Sequence, residues 1–251
     1  MSDELKIAIE AAKKGAKNAL RYFKQDIDIE IKGDKTVVSH ADKETEEVIK
    51  SYVSSKYSHA KFVGEESGGD VHEDEFWTID PIDGSRNYLR GIPNWCVMVS
   101  LCRDGDVFLS VIYYPNVDMV YWGQRGKGAH ENDKKLRVSK VSRLEDAYIG
   151  FGSIRHFKDK KVVLDMVDKS GSSRGWEPTF GACLVVAGRA DVYFEVFGKI
   201  WDIAPFKVML EEAGGKITRL DGTPWTFEGQ GALMTNGLLH EEALAVIGGR
   251  L

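Results

Sequence analysis

Three cysteines in 251 residues, Cys96, Cys102 and Cys183, stand apart from one another, and none forms a CxxC pair. So few, so dispersed, they exclude a disulfide framework and predict three buried thiols in a reducing compartment. Histidine is also sparse: six residues, scattered, which argues against a zinc centre. Long apolar runs are missing, and stretches such as Val97 to Val99 fall far short of the ~20 residues a bilayer span requires, so no membrane segment is expected. Basic excess is absent as well. With a net charge of −5 and no Lys/Arg block, the chain has no field to hold a nucleic-acid backbone. Its first ten residues, MSDELKIAIE, carry acids where a secretory leader carries bases, so a cytoplasmic protein is expected. No repeat, low-complexity tract or Pro/Gly/Ser-rich linker interrupts the sequence, so any internal boundary is a joint between packed layers.

What is present is an ordinary globular composition, 43% hydrophobic and 29% charged. Leu5, Ile9, Ala12, Ala16, Ala19, Leu20 and Phe23 recur at helical spacing and predict a first helix. A second is expected over 41–57, with Thr45, Val48, Ile49, Tyr52 and Val53 as its apolar stripe and Ser39 as its cap. The period then shifts to strands at 62–63, 76–79, 95–102, 107–114 and 119–122. Asp104-Gly105 between the third and fourth is a strong hairpin signal. The polar stretch 124–135 reads as turns and loop. The second half alternates: helices near 160–168, 179–187, 203–213 and 241–247, and strands at 191–196, 216–220 and 232–235. Layered α/β packing follows from that order, with a joint near Ala147 dividing residues 1–147 from 148–251.

The chemistry concentrates in Gly64-Glu65-Glu66-Ser67-Gly68 and, one strand later, Asp80-Pro81-Ile82-Asp83-Gly84-Ser85. A strand ending at Asp80 brings that carboxylate to a sheet edge, where α/β proteins tend to place ligands. Pro81 fixes the local turn and lacks an N–H, which lets Asp83 turn back toward the same point. Clustered carboxylate oxygens suit Mg²⁺, a cation that prefers carboxylates, waters and phosphate. Gly84-Ser85 then opens a short helical turn whose free N–H groups suit phosphate oxygens. Each piece alone has a plainer reading. An isolated DxxD is more often a turn cap, and a Glu-Glu pair is more often a solvated loop. Two acidic segments after two successive apolar strands, flanked by glycine, favour a site.

These segments, together with WDIAP at 201–205, AGG at 213–215, GKGA at 126–129 and GRADVYFE at 188–195, resemble the inositol monophosphatase family of metal-dependent phosphatases in order and spacing across nearly the whole chain. The resemblance implies a layered α/β/α/β/α sandwich and hydrolysis of a small phosphate monoester with two or three Mg²⁺ ions per site. By position, Glu65, Asp80, the carbonyl of Ile82, Asp83 and Asp202 correspond to the metal ligands. Asp42 and Ser85, with Glu65, correspond to residues that orient the attacking water. Asp42 also reads as part of a helix capping arrangement with Ser39, and Asp202 as a helix N-cap. A homodimer is implied too.

Substrate choice rests on fewer residues. Asp83, Gly84, Ser85 and Asp202 are expected at the phosphate end, and Glu195 matches the family's acid for substrate hydroxyls, although a strand-end charge would look the same. Arg174-Gly175-Trp176-Glu177-Pro178-Thr179 replaces the small residues usual in inositol-specific members. Bulk at Trp176 and charge at Glu177 therefore open histidinol phosphate, and less strongly fructose bisphosphate or a nucleotide 3′-phosphate, as alternatives. Arg155 and Arg174 are candidates for a second phosphate. A non-catalytic metabolite-binding protein is the rival of another class, and the intact set of acids speaks against it.

Overall fold

The computed structural model describes residues 1–25, 29–31 and 37–248, with the backbone alone at 29–31 and 37–39. In chain order the first half contains α1 (Asp3–Tyr22), β1 (Ile29–Ile31), β2 (Val37–Ser39), α2 (His40–Lys56), β3 (Phe62–Gly64), β4 (Glu75–Asp83), α3 (Ser85–Leu89), β5 (Cys96–Arg103), β6 (Asp106–Tyr114), β7 (Met119–Gln124), β8 (Gly128–Glu131) and β9 (Lys134–Lys135). The second contains β10 (Tyr148–Phe151), α4 (Lys161–Lys169), β11 (Ser172–Gly175), α5 (Pro178–Val186), β12 (Val192–Glu195), α6 (Ile200–Ala213), β13 (Lys216–Thr218), β14 (Ala232–Thr235) and α7 (His240–Ile247).

Strands β3 to β9 form one seven-stranded sheet in sequence order, antiparallel apart from the β3/β4 pair. A five-stranded mixed sheet has the order β11-β10-β12-β14-β13. Three apolar clusters record how the layers stack. One joins α1 and α2 to the outer face of the seven-stranded sheet through Leu5, Ile49, Trp77 and Val99. The second lies between the sheets and contains α5 and α6 residues such as Ala182, Phe206 and Met209. The third packs α4 and α7 on the far face of the five-stranded sheet through Val163, Phe194 and Ile247. Helices, sheet, helices, sheet, helices: this is the expected α/β/α/β/α sandwich.

Local details explain the elements. Asp104 (φ 53°) and Gly105 (φ 74°) both take the left-handed backbone that a two-residue hairpin needs, as their sequence predicts. Cys96, Cys102 and Cys183 are all buried and free, as expected. The buried stripe of α1 runs through Ala8, Ala11, Ala12 and Gly15, while Leu20 is exposed and does not join it. Small residues win there because α2 comes close: a Cβ on Gly15 would lie 2.6 Å from Ile49 Cδ1. The stretch 124–135 pairs as β7, β8 and β9, where its polar residues suggest loop. Glu212 of α6 accepts N–H groups from Gly126 and Gly128 at 2.8 Å each and so holds the intervening turn, and His130 stacks on Trp122 at 3.9 Å. The side chain of Ser39, the expected cap of α2, lies outside the described residues.

Candidate active site

Strand β4 sets the geometry. Asp80 pairs with Met98 of β5 and Asp83 with Cys96, so three steps along β4 match two along its neighbour. Side chains alternate faces along a strand, and residues three apart normally point to opposite sides. The extra residue of this bulge restores parity and puts both carboxylates on one side. Pro81, without an N–H, falls inside the irregularity, where a sheet tolerates it. Asp80 Oδ1 accepts the Ile82 N–H at 3.1 Å, and Ser85 Oγ donates to the Ile82 carbonyl at 2.9 Å, which closes the turn into α3. Gly84 takes φ 84°, and a Cβ there would approach the Asn94 carbonyl at 3.1 Å.

Asp202 comes from the other sheet's side, in the first turn of α6. The helix cap is Lys199 and not Asp202 as the sequence suggests: Asp202 stands three residues on, its carboxylate accepts the Lys199 N–H at 2.6 Å in a capping box, and its side chain also hydrogen-bonds Asp80. One oxygen from each of Asp80, Asp83 and Asp202 lies within 4.8 Å of the others. Glu65 follows β3, and its N–H bonds the Ile79 carbonyl at 3.1 Å, beside Asp80. Asp42 is buried in the first turn of α2 and adds to the negative field at Asp80, without lining the cleft.

Crowding like charges under partial burial resists ionisation. Burial first, then Glu65, Asp83, Asp202 and Asp42, raise the Asp80 carboxyl well above its ordinary range. Asp83 is also raised by burial, against hydrogen bonds from Thr179, Cys96, Glu177 and the Gly84 backbone that pull it back. For Asp202, burial pushes the value up to about 7 against the Lys199 N–H bond. Such a group of oxygens holds a proton or a cation more readily than it holds its own charge. The donor set is all oxygen, and it fits a hard divalent ion.

The acids line a cleft of about 1320 Å³. Gly84, Ser85 and Arg86 form one wall, and Trp176, Glu177 and Glu195 another. Glu177 caps α5 by accepting the Phe180 N–H at 3.3 Å, and burial followed by Asp83 raises its carboxyl well above the ordinary range. Glu195 ends β12, nearly buried, with Tyr193 Oη 3.3 Å away, so it is not a solvated strand-end charge. Gly152 leaves room for it: a Cβ there would lie 2.7 Å from Glu195 Oε2. Arg155 lines the cleft; Arg174 does not, being exposed on β11 with its guanidinium on the Ser173 carbonyl at 2.6 Å. One participant is absent from the sequence reading. Glu46, almost fully buried, accepts the Glu66 N–H at 2.8 Å and the Ser67 N–H at 3.2 Å. Its signal was an acid one helical turn after Asp42, on the face that α2 buries.

The model of the inositol monophosphatase family matches residues 1–248. A histidinol-phosphatase of Mycobacterium tuberculosis is 31% identical over 96% of this chain and 96% of its own length. An inositol-1-monophosphatase of Mesorhizobium japonicum is 35% identical, covering 87% and 86%. The solved Thermotoga maritima IMPase, 27% identical, superposes with a TM-score of 0.91 over 98% of this chain and 97% of that one. The bulged acidic strand, the facing helix and these likenesses along the whole length lead to one conclusion: the chain, with an acidic cluster able to hold a metal ion, is a phosphatase of phosphate monoesters and belongs to the inositol monophosphatase family, a metal-dependent family.

Proposed function

We propose that the chain hydrolyses a small phosphate monoester with two or three Mg²⁺ ions held by Glu65, Asp80, Asp83, Asp202 and the Ile82 carbonyl. The observation that carries this reading is the trio of aspartate oxygens within 4.8 Å of one another, in surroundings that oppose their ionisation. Bound ions of this kind polarise the phosphate, acidify a water and neutralise the leaving oxygen. The chain's own residues do the positioning. Glu65 and Ser85 steer the attacking water, Asp42 contributes to that steering from outside the cleft lining through its negative field at Asp80, and the Gly84-Ser85 start of α3 receives phosphate oxygens. Glu195 accepts hydrogen bonds from hydroxyl groups of the leaving alcohol. The site forms where residues 1–147 meet 148–251, a division supported by the seven-stranded sheet lying wholly in the first part and the five-stranded sheet wholly in the second. A cytoplasmic homodimer completes the reading; the three buried free thiols suit a reducing compartment, and light scattering of the purified chain tests the dimer.

The deciding experiment is phosphate release from inositol 1-phosphate and a panel of esters, with Mg²⁺ and with EDTA. Metal-dependent release is expected; release that EDTA leaves unchanged would remove the metal assignment. A second reading has its own support. Glu177 stands beside Asp83, and Trp176 and the exposed apolar side chains of Ile154 and Phe197 line the same cleft, with the His156 ring 5.0 Å from that of Phe197. This wall suits a leaving group that carries a flat or cationic part, such as histidinol, better than a polyol. A kcat/KM for histidinol phosphate at least tenfold above that for inositol 1-phosphate would select it.

A further inference from the structure

Glu46 does more than fill space beneath the turn that carries Glu65. Its Oε2 takes the Glu66 N–H and its Oε1 the Ser67 N–H, while Lys50 Nζ stands 3.5 Å from Oε1. The turn is closed by reciprocal bonds, Gly64 N–H to the Gly68 carbonyl at 3.0 Å and Gly68 N–H to the Gly64 carbonyl at 2.9 Å. Its inward N–H groups thus form a small anion nest, and a side chain of the protein occupies it. Gly64 fits this packing: a Cβ there would lie 2.5 Å from Glu46 Cδ. Backbone N–H groups buried under a turn need an acceptor, and a carboxylate is a strong one.

The placement matters because of what else α2 carries. Asp42 lies four residues before Glu46, on the same helix face. Glu65 sits in the gripped turn, with its own N–H on Ile79 next to Asp80. One carboxylate therefore ties together the helix bearing Asp42 and the loop bearing Glu65, both beside β4. We propose that Glu46 is a positioning residue that holds Glu65 and Asp42 in one fixed relation to Asp80, so that cation affinity depends on a side chain that touches no cation. This rests on the metal-site reading above, and groups that orient ligands in this way typically contribute 10–100-fold to metal affinity.

The test is Glu46→Gln in the full chain. Glutamine keeps the size but can accept one N–H, and its amide N–H₂ confronts the other. Two readouts apply: hydrogen exchange of the Glu66 and Ser67 amides, and calorimetric titration of Mn²⁺ alone, without substrate. The expected result is at least tenfold faster exchange at both amides and about tenfold weaker Mn²⁺ binding, with a KM near wild type at saturating metal. A folded variant with wild-type exchange or wild-type Mn²⁺ affinity overturns the proposal. If Glu46→Gln does not fold, Glu46→Asp decides on the same readouts, since its carboxylate is one methylene too short to reach both N–H groups. Should the wild-type chain itself bind no Mn²⁺, the metal reading fails, and the exchange measurement alone judges whether Glu46 secures the turn.

Discussion

Glu46, Asp191 and Glu212 collect backbone N–H groups, whereas Asp80, Asp83 and Asp202 face one another. Glu46 and Glu212 each accept two N–H groups from a glycine-bearing turn, and Asp191 takes the Tyr148 N–H at 2.6 Å together with the Ser139 hydroxyl. Those charges are answered inside the protein, and their work is architectural. The cleft aspartates also accept hydrogen bonds, but burial is the largest influence on each, and at Asp80 the other acids come next. A buried charge answered by the backbone fixes a loop; a buried charge answered by another of the same sign calls for something from outside.

Substitution should separate the two groups. Asp83→Asn removes a cleft acid: turnover should fall by about 10³-fold in a phosphate-release assay, while circular dichroism and melting stay near wild type because like-charge repulsion is relieved. Equal loss of fold and activity would place Asp83 with the architectural acids instead. Next in size is the effect of Mg²⁺ on melting. A ligand at 100 times its Kd adds about 2.7 kcal/mol to stability, and here protons compete for the same oxygens. The Asp202 carboxyl, raised to about 7, gives the metal-free fold stability that is present at low pH and lost as pH rises through about 7. The stabilisation by Mg²⁺ in thermal melts should therefore be small at pH 5 and large at pH 8; a gain independent of pH would contradict it.

Glu212→Gln tests the other side. It should lower stability by roughly 1–3 kcal/mol in urea unfolding with kcat and metal affinity unchanged, because its turn reaches no catalytic group. The smallest effect belongs to a buried base. His240 bridges the hydroxyls of Thr218 and Thr235 at 3.0 Å each, and burial lowers its value from the ordinary 6.5 to about 4. A lowered histidine stabilises the neutral side: its contribution is intact above pH 6.5 and is lost as pH falls through about 4. His240→Gln keeps a donor and an acceptor without titrating, so its urea midpoint should fall less steeply than wild type between pH 6.5 and 4.

Much of this was legible in the chain because patterns local in sequence stay local in space. Helical spacing marked α1 and α2, Asp-Gly marked the β5/β6 hairpin, and the spacing of GEESG and DPIDGS placed Glu65, Asp80 and Asp83. Strands β8 and β9 were hidden because their pairing is secured by Trp122 and by Glu212, a residue some 80 positions away. Strand β11, Ser-Ser-Arg-Gly, carries little strand propensity and forms because β10 lies alongside. Glu46 escaped notice since a charged residue on a helix is usually solvated, and its acceptor role appears only once the 64–68 turn is folded against it. Arg174 looked like a phosphate ligand by charge alone, and the sheet turned it outward.

The extra residue in β4 carries a further consequence. Because it is the count of positions between Asp80 and Asp83 that lets both acids look the same way, the motif should tolerate exchange of its middle residues far better than a change in their number. Removing or adding a single residue there would send one carboxylate through the sheet into the helix-packed apolar layer behind it. In this segment the number of residues matters more than their identity, as a frame does in a coding message.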